Sequence, residues 1–317
     1  MFILARSPLR ISFVGGGSDL PSFCHEEPGR VVSAAIDRYV YISVAPRYSG
    51  IRVSYSRTEN VDRVDAIQHD IVRETLKHLM LDNVEIVSMA DISAGAGLGS
   101  SGAFTTALLT ALYALNGVHP YPESTFNQAS TIEMIKCNKP IGYQDQAASA
   151  FGGFASYTFN GSLVSRDDLS FCKHTDDLFS RLLLVDTGLR GRSTDALNRQ
   201  SFDRDATRLM ADLASTFVHL LLNGEVDECG GVINDYWKLK RSLGASNDQV
   251  DSIYAYAHQR GAIGGKLCGA GGRGMMLFIT HPGMVRSLAS DIYEKFDLRT
   301  LIPHLSRDGA RIVYSSG

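Results

Sequence analysis

The stretch from Gly95 to Gly102 constrains this chain more than any other. Three alternating glycines, Gly95, Gly97 and Gly99, lead through Leu98 into Ser100-Ser101-Gly102 and then an unbroken run to Leu115. Glycine reaches positive φ without steric cost and lets a backbone press close to another group. The run from Ala103 to Leu115 holds no proline and is rich in alanine and leucine, both strong helix formers. The spacing therefore predicts a loop that becomes a helix at the two serines. The first amides of a helix lack intrahelical acceptors and lie at the positive end of its macrodipole, so glycines and hydroxyls at such a start form a phosphate cradle. A tight turn with a serine cap is the plainer reading of the same residues. A P-loop is excluded, because that motif needs a lysine just before its hydroxyl residue and the nearest lysines along the chain are Lys77 and Lys136.

Composition narrows the partner. The 317 residues, 44% hydrophobic and 21% charged, suit one large or two medium globular domains. A net charge of −3 gives no basic footprint for nucleic acid or an anionic membrane, which favours a small-molecule partner. The five cysteines, Cys24, Cys137, Cys172, Cys229 and Cys268, contain no C-x-x-C pair, so neither a disulfide framework nor a zinc site is expected. The apolar start is cut by Arg6, too early for a signal peptide, and no apolar stretch reaches membrane-spanning length. A cytoplasmic location is expected.

In chain order, residues 2–5 and 10–14 read as short strands, the second running into Gly15-Gly16-Gly17-Ser18-Asp19. A dinucleotide fingerprint fails there because Leu20 replaces the third glycine and Pro21 and Pro28 leave no room for a crossover helix. Residues 30–36, 39–44 and 51–55 suggest an antiparallel meander, 66–81 a helix, and 84–89 the strand that feeds the cradle. A helix over 123–137, a sharp turn over 142–153 and strands at 154–158 and 163–166 follow. The second half holds a strand at 182–186, helices over 193–223, 226–242 and 248–259, strands at 262–267 and 275–279 around Gly269-Ala270-Gly271-Gly272-Arg273-Gly274, a helix over 284–296 and a last strand at 311–314. Intermixed strands and helices imply an α+β class, divided into domains 1–175 and 176–317 at the charged, irregular stretch from Asp167 to Asp177.

Two acids stand out. Glu133 lies on the helical face of Phe126 and Ala129, where a carboxylate is costly unless paired or metal-bound, although a glutamate at the edge of the stripe is the plainer alternative. Asp145 stands where a short helix begins, so it is either a cap or a functional acid.

With these motifs in order, Pro8 to Asp19, Gly95 to Ser101 and Gly269 to Gly274, the chain resembles the GHMP kinase superfamily of galactokinase, homoserine, mevalonate and phosphomevalonate kinases. The resemblance implies a two-domain fold, an N-terminal α/β domain and a ferredoxin-like α+β C-terminal domain with ATP between them. It implies that Gly95, Gly97, Leu98, Gly99, Ser100, Ser101 and Gly102 hold ATP, and that Ser101 and Glu133 hold Mg2+. Asp145 would take or orient the acceptor proton, and Arg10 would steady the transferred phosphoryl group. Gly16, Gly17, Asp19, Gly269 and Gly271 fall to the substrate side, and Arg190, Arg192 or Lys266 could hold a phosphate on the sugar. Within the superfamily the chain is most similar to the D-glycero-D-manno-heptose 7-phosphate kinases, which act at the anomeric C1 hydroxyl and supply nucleotide-heptose for surface polysaccharide. Another sugar-1-kinase, fucose-like or hexose, and a catalytically silent sensor that binds sugar and ATP are the alternatives; a homodimer is compatible with either. Ser93-Ala94 and Arg273 depart from the family pattern, and Arg273 raises the question of how arginine is accommodated in a loop needing positive φ.

Overall fold

The computed structural model describes residues 1–189 and 202–316. Strand β1 (Phe2–Val14) is continuous where two short strands were expected. Pro8 is absorbed by a register irregularity between Pro8 and Arg10, which spares the ladder hydrogen bond that proline cannot make. Helix α1 (Pro21–Cys24) is one turn. Strand β2 (Gly29–Pro46) likewise fuses two expected strands, because Ile36 to Arg38 bulge out of the pairing with β1 instead of breaking it. Strands β3 (Ile51–Ser54) and β4 (Thr58–Val61) form a hairpin. Helix α2 (Asp70–Leu79) begins later than its apolar period suggested, because the His69 side chain accepts from Val72 N and so sets the start.

Strand β5 (Val84–Ala90) pairs with the second half of β2, leaving the first half to β6 (Phe154–Asn160), which also pairs with β7 (Leu163–Asp168). Between them lie helix α3 (Ser100–Leu115), helix α4 (Pro122–Ser130), a π-helical turn at Thr131–Lys136 and helix α5 (Gln144–Phe151), the last being the short helix expected to begin at Asp145 and filling most of the stretch read as a sharp turn. Its apolar Ala147, Ala148 and Ala150 are buried, which favours a helix over an open loop. Helix α3 is apolar nearly all round and packs against β1, β2, α4 and α5, so the expected loop-to-helix element is the central pillar of this layer.

The second half adds helix α6 (Thr175–Ser180), strand β8 (Leu182–Asp186), helices α7 (Arg204–Asn223), α8 (Val226–Ser242) and α9 (Asp248–Gln259), strands β9 (Ala262–Leu267) and β10 (Met275–Thr280), helix α10 (Val285–Phe296) and strand β11 (Thr300–Leu301). The helix expected from 193 is described from Arg204, capped by Asp203 accepting from Ala206 N; residues 193–201 lie outside the described residues. These strands form a four-stranded antiparallel sheet in the order β11-β8-β10-β9. Strand β12 (Arg311–Ser316) leaves it and pairs with β1, completing an eight-stranded first sheet. A division at 175/176 thus has this strand hydrogen-bonded back across it. Phe13 of β1 stacks near Phe217 of α7 at 5.4 Å between ring centres, which fastens the halves through one aromatic cluster.

Helix α8 lies on β9 at backbone distance. A Cβ on Gly264 would come within 2.2 Å of the Gly230 carbonyl oxygen, whereas one on the neighbouring Gly231 meets nothing within 4 Å. Gly264→Ala is therefore expected to cost about 2 kcal/mol or more by forcing the helix off the sheet. Gly231→Ala should add about 0.5–1 kcal/mol by stiffening the helix. Chemical denaturation of both variants checks the pair, and equal effects would mean that the close approach is not the constraint.

Candidate active site

The glycine loop meets its counterpart back to back. Gly95, Gly97 and Gly99 all have positive φ, and helix α3 starts at Ser100. Ala96 O accepts from Met275 N at 2.9 Å. A Cβ on Gly97 would lie 2.5 Å from the Cys268 carbonyl oxygen, one on Gly269 would lie 2.8 Å from the Gly97 Cα, and one on Gly274 would lie 2.5 Å from the Ala96 carbonyl oxygen. The closeness that Gly97 serves in the structure is therefore to the second glycine loop. Gly269, Gly271, Gly272 and Gly274 take the positive φ values in that loop; Arg273 is not among the positive-φ residues, which answers how it is accommodated.

Arg10 joins this junction to an acid. Its backbone N donates to Leu98 O at 2.9 Å and its Nη1 to Gly97 O at 2.7 Å. Its Nε and Nη2 lie 2.8 and 2.6 Å from one oxygen of Asp145, Oδ1. Arg10 is 3% exposed and the Asp145 side chain 27%, so the pair has a sealed cationic side and an open carboxylate side. Asp145 is not the cap that its position allowed, because α5 follows Tyr143 with no side-chain cap hydrogen bond. Gly102 lets α3 reach α5, since a Cβ there would lie 2.8 Å from the Asp145 carbonyl carbon.

Glu133 is fully buried, which rules out the stripe-edge alternative. It sits in the π turn that continues α4, a widening of the helix often found at functional sites. It is hydrogen-bonded to the Ser101 hydroxyl, its Oε1 accepts from Gln146 Nε2 at 3.0 Å, and Lys139 Nζ stands 3.8 Å away. Burial pushes its carboxyl above the usual carboxylate range, against Lys139, Ser101, Gln146 and Thr105, which hold it down. One buried carboxylate beside one hydroxyl is a small hard-oxygen donor set. It fits magnesium, which binds through few protein oxygens and completes its shell with phosphate and water. Among the described residues no group of three or more His, Cys, Asp or Glu converges as a complete protein cage.

The third component is the turn after β1. Asp19, 2% exposed, accepts from Gly17 N at 2.9 Å and from Gln144 N at 3.1 Å, so it ties the turn to the first amide of α5. Burial raises its carboxyl while those backbone donors oppose the rise. Beside the turn, Ser12 Oγ and Gln144 Oε1 are buried without a hydrogen-bond partner among the described residues. A cavity of about 390 Å3 opens there, lined among others by Gly17, Leu20, Pro21, Met134, Lys139 and Lys240. That volume lies within the range of small-molecule pockets.

Of the residues singled out from sequence, Arg10, Gly97, Leu98 and Asp145 come into direct contact, as do Ser101 and Glu133. Gly16 lies beside Gln144, Ser12 and Tyr236, and Gly17 beside Lys240. Arg190 and Arg192 lie outside the described residues. Lys266 is 2% exposed and donates to Ser12 O at 2.7 Å, away from the cavity wall. Sequence reasoning missed Lys139, Gln144, Gln146, Tyr236 and Lys240. Lys240 had a readable signal, since it continues the buried α8 face of Cys229, Ile233, Tyr236 and Trp237.

Comparisons with known proteins point one way. Residues 66–153 match the family profile described as GHMP kinases N terminal domain. The chain is 24% identical over 306 residues to the D-glycero-alpha-D-manno-heptose 7-phosphate kinase of Campylobacter jejuni, covering 88% of this chain and 90% of that one. It shares its fold with a D-glycero-D-manno-heptose 1-phosphate kinase from Bacteriodes thetaiotaomicron, with a TM-score of 0.82, 22% identity and full coverage of both chains. It also shares it with Lactococcus lactis galactokinase complexed with galactose, with a TM-score of 0.78, 13% identity and coverage of 98% and 94%.

Gly97→Val places two branches where the Cys268 carbonyl stands, at a positive φ that valine tolerates poorly. Its melting temperature and its nucleotide affinity are expected to fall together, as read by thermal unfolding with and without ATP. A variant of unchanged stability would remove the loop junction from this account.

Proposed function

We propose that this chain, whose residues 66–153 match the N-terminal domain of the GHMP kinases, is an ATP-dependent sugar kinase of that family and that it phosphorylates the anomeric C1 hydroxyl of a sugar phosphate, D-glycero-D-manno-heptose 7-phosphate, to the 1,7-bisphosphate. The observation that carries the proposal is the Arg10–Asp145 pair, which stands between the glycine loop on one side and the Asp19 turn on the other. The likeness to the Campylobacter jejuni kinase supports the choice of sugar.

In this reading Gly95 to Gly102 cradle the ATP phosphates with loop amides and the start of α3. Ser101 and Glu133 would hold Mg2+, which would neutralise phosphate charge there. Asp19, with the unpartnered oxygens of Ser12 and Gln144, receives sugar hydroxyls. Gly16 and Gly17 shape the same turn, and Gly269 and Gly271 close the site from the second glycine loop. Arg10 occupies Oδ1 of Asp145 and leaves Oδ2 to orient the C1 hydroxyl and take its proton as its oxygen bonds the γ-phosphorus of ATP and the bond from that phosphorus to the departing ADP breaks. Arg10 also keeps positive charge beside the phosphoryl group in flight.

Incubation with ATP and a panel of sugars and sugar phosphates, read by ADP release and phosphorus NMR, tests the proposal. The expected product is a C1 phosphate on the heptose 7-phosphate. A new phosphate on a primary hydroxyl would sink the C1 assignment, and binding of sugar and ATP without turnover would favour the silent sensor.

Asp145→Asn keeps the shape of the side chain and an acceptor for Arg10. Its kcat should fall roughly 10²-fold or more, with nucleotide affinity nearly intact. A loss nearer tenfold would assign Asp145 to orientation, because a loose phosphoryl transfer asks little of a base. Glu133→Gln should weaken Mg2+-dependent ATP binding more than sugar binding, as titration calorimetry with each ligand would report. Equal losses would make Glu133 a structural acid.

A further inference from the structure

Two buried side chains of the second half of the chain reach across to the strand and turn that carry Asp19. Lys266, the penultimate residue of β9, donates from Nζ to Ser12 O at 2.7 Å. Tyr236, on α8, donates from its hydroxyl to Gly16 O at 2.8 Å. The two support each other, with the Lys266 ammonium 4.6 Å from the centre of the Tyr236 ring. Both are 2% exposed. The carbonyls they hold lie on either side of the point where β1 ends at Val14 and the chain enters Gly15-Gly16-Gly17.

The geometry points to Lys266 and Tyr236 as positioning residues that set the acceptor turn, fixing Gly16 to Asp19 from the opposite sheet so that the sugar is presented to Asp145. The inference rests on the proposed assignment of that turn to the acceptor. A lysine with no route to solvent is costly, and its retention needs a partner that repays the burial. Here the partner is a main-chain carbonyl, which no apolar residue of similar size can engage. Burial also pushes the Lys266 ammonium down to about 7, and both its charged and its neutral form keep an N–H for Ser12 O. The turn is open to a small change at this point. A Cβ on Gly16 would lie 3.3 Å from the Tyr236 hydroxyl and 3.1 Å from Gln144 Nε2, so shifting the turn by a few tenths of an ångström alters what Gln144 and Asp19 present. Neither side chain contacts the glycine loop at Gly95 to Gly102 among the described hydrogen bonds, so the nucleotide side should not feel their loss.

Steady-state kinetics on the whole chain separate this role from a merely structural one. Tyr236→Phe removes one hydroxyl and keeps the ring; Lys266→Met keeps the length and removes the donor. Each is expected to raise KM for heptose 7-phosphate about tenfold, the effect of one lost buried hydrogen bond, with KM for ATP changed less than about twofold. Asp19→Asn serves as the reference for the turn. If Asp19→Asn raises the acceptor KM and Tyr236→Phe does not, the positioning role is overturned while the proposed function stands. If Asp19→Asn leaves the acceptor KM unchanged, the assignment of the turn fails and the inference falls with it. Parallel rises for acceptor and ATP in Tyr236→Phe would also overturn it, whether or not Lys266→Met folds.

Discussion

The contact on which the rest depends is one of backbone against backbone, where the loop before α3 lies on the loop between β9 and β10. Side chains on either loop would hold them apart, because added Cβ atoms at Gly97, Gly269 and Gly274 would fall within 3 Å of main-chain atoms opposite. The hydrogen bond from Met275 N to Ala96 O makes the approach specific in register as well as distance. Two sheets that share no strand pairing between β1 and β9 are thereby brought to one line, along which a phosphate chain can be held.

That junction explains why an arginine can be buried within β1. Arg10 would be expensive to seal from water alone, yet three of its nitrogens are taken by Asp145 and Gly97 O, both delivered by elements that the junction positions. Glu133 is a different case. It has a hydroxyl, an amide and a lysine at 3.8 Å, and its carboxyl is still pushed upward by burial, so the protein alone compensates it incompletely. An incompletely compensated buried acid is a place where a cation from outside adds most.

Much of this was legible in the residues. The helix start at Ser100 followed from the glycines and the alanine-rich run, and Glu133 was marked by its place on an apolar face. What escaped was set by distant partners. The continuity of β1 and β2 depends on a bulge at Ile36 to Arg38 that accommodates the irregularity after Pro8, and only pairing between strands reveals it. The start of helix α5 near Asp145 was legible, but its extent through Phe151 was not, since the burial of its alanines depends on distant elements. The use of Gly97 could not be read locally, since the atom it avoids belongs to Cys268, far along the chain. Lys240 and Tyr236 were hidden within an ordinary helical pattern, although a lysine on the buried face was a visible departure.

The return of β12 to the first sheet has a consequence for synthesis. Phe2 pairs with Ser316, so β1 is flanked by β2 on one side and by nearly the last described residues on the other. As the chain emerges from the ribosome, β1 and β2 can zip early, but one edge of β1 stays open until residues 311–316 appear. An open strand edge is a template for unwanted pairing, and the exposure lasts until those distant residues are made. Arg6, which lies on the stretch of β1 that β12 later covers, suits such a wait, since a charged residue on an uncovered strand discourages a neighbouring nascent chain from docking there first.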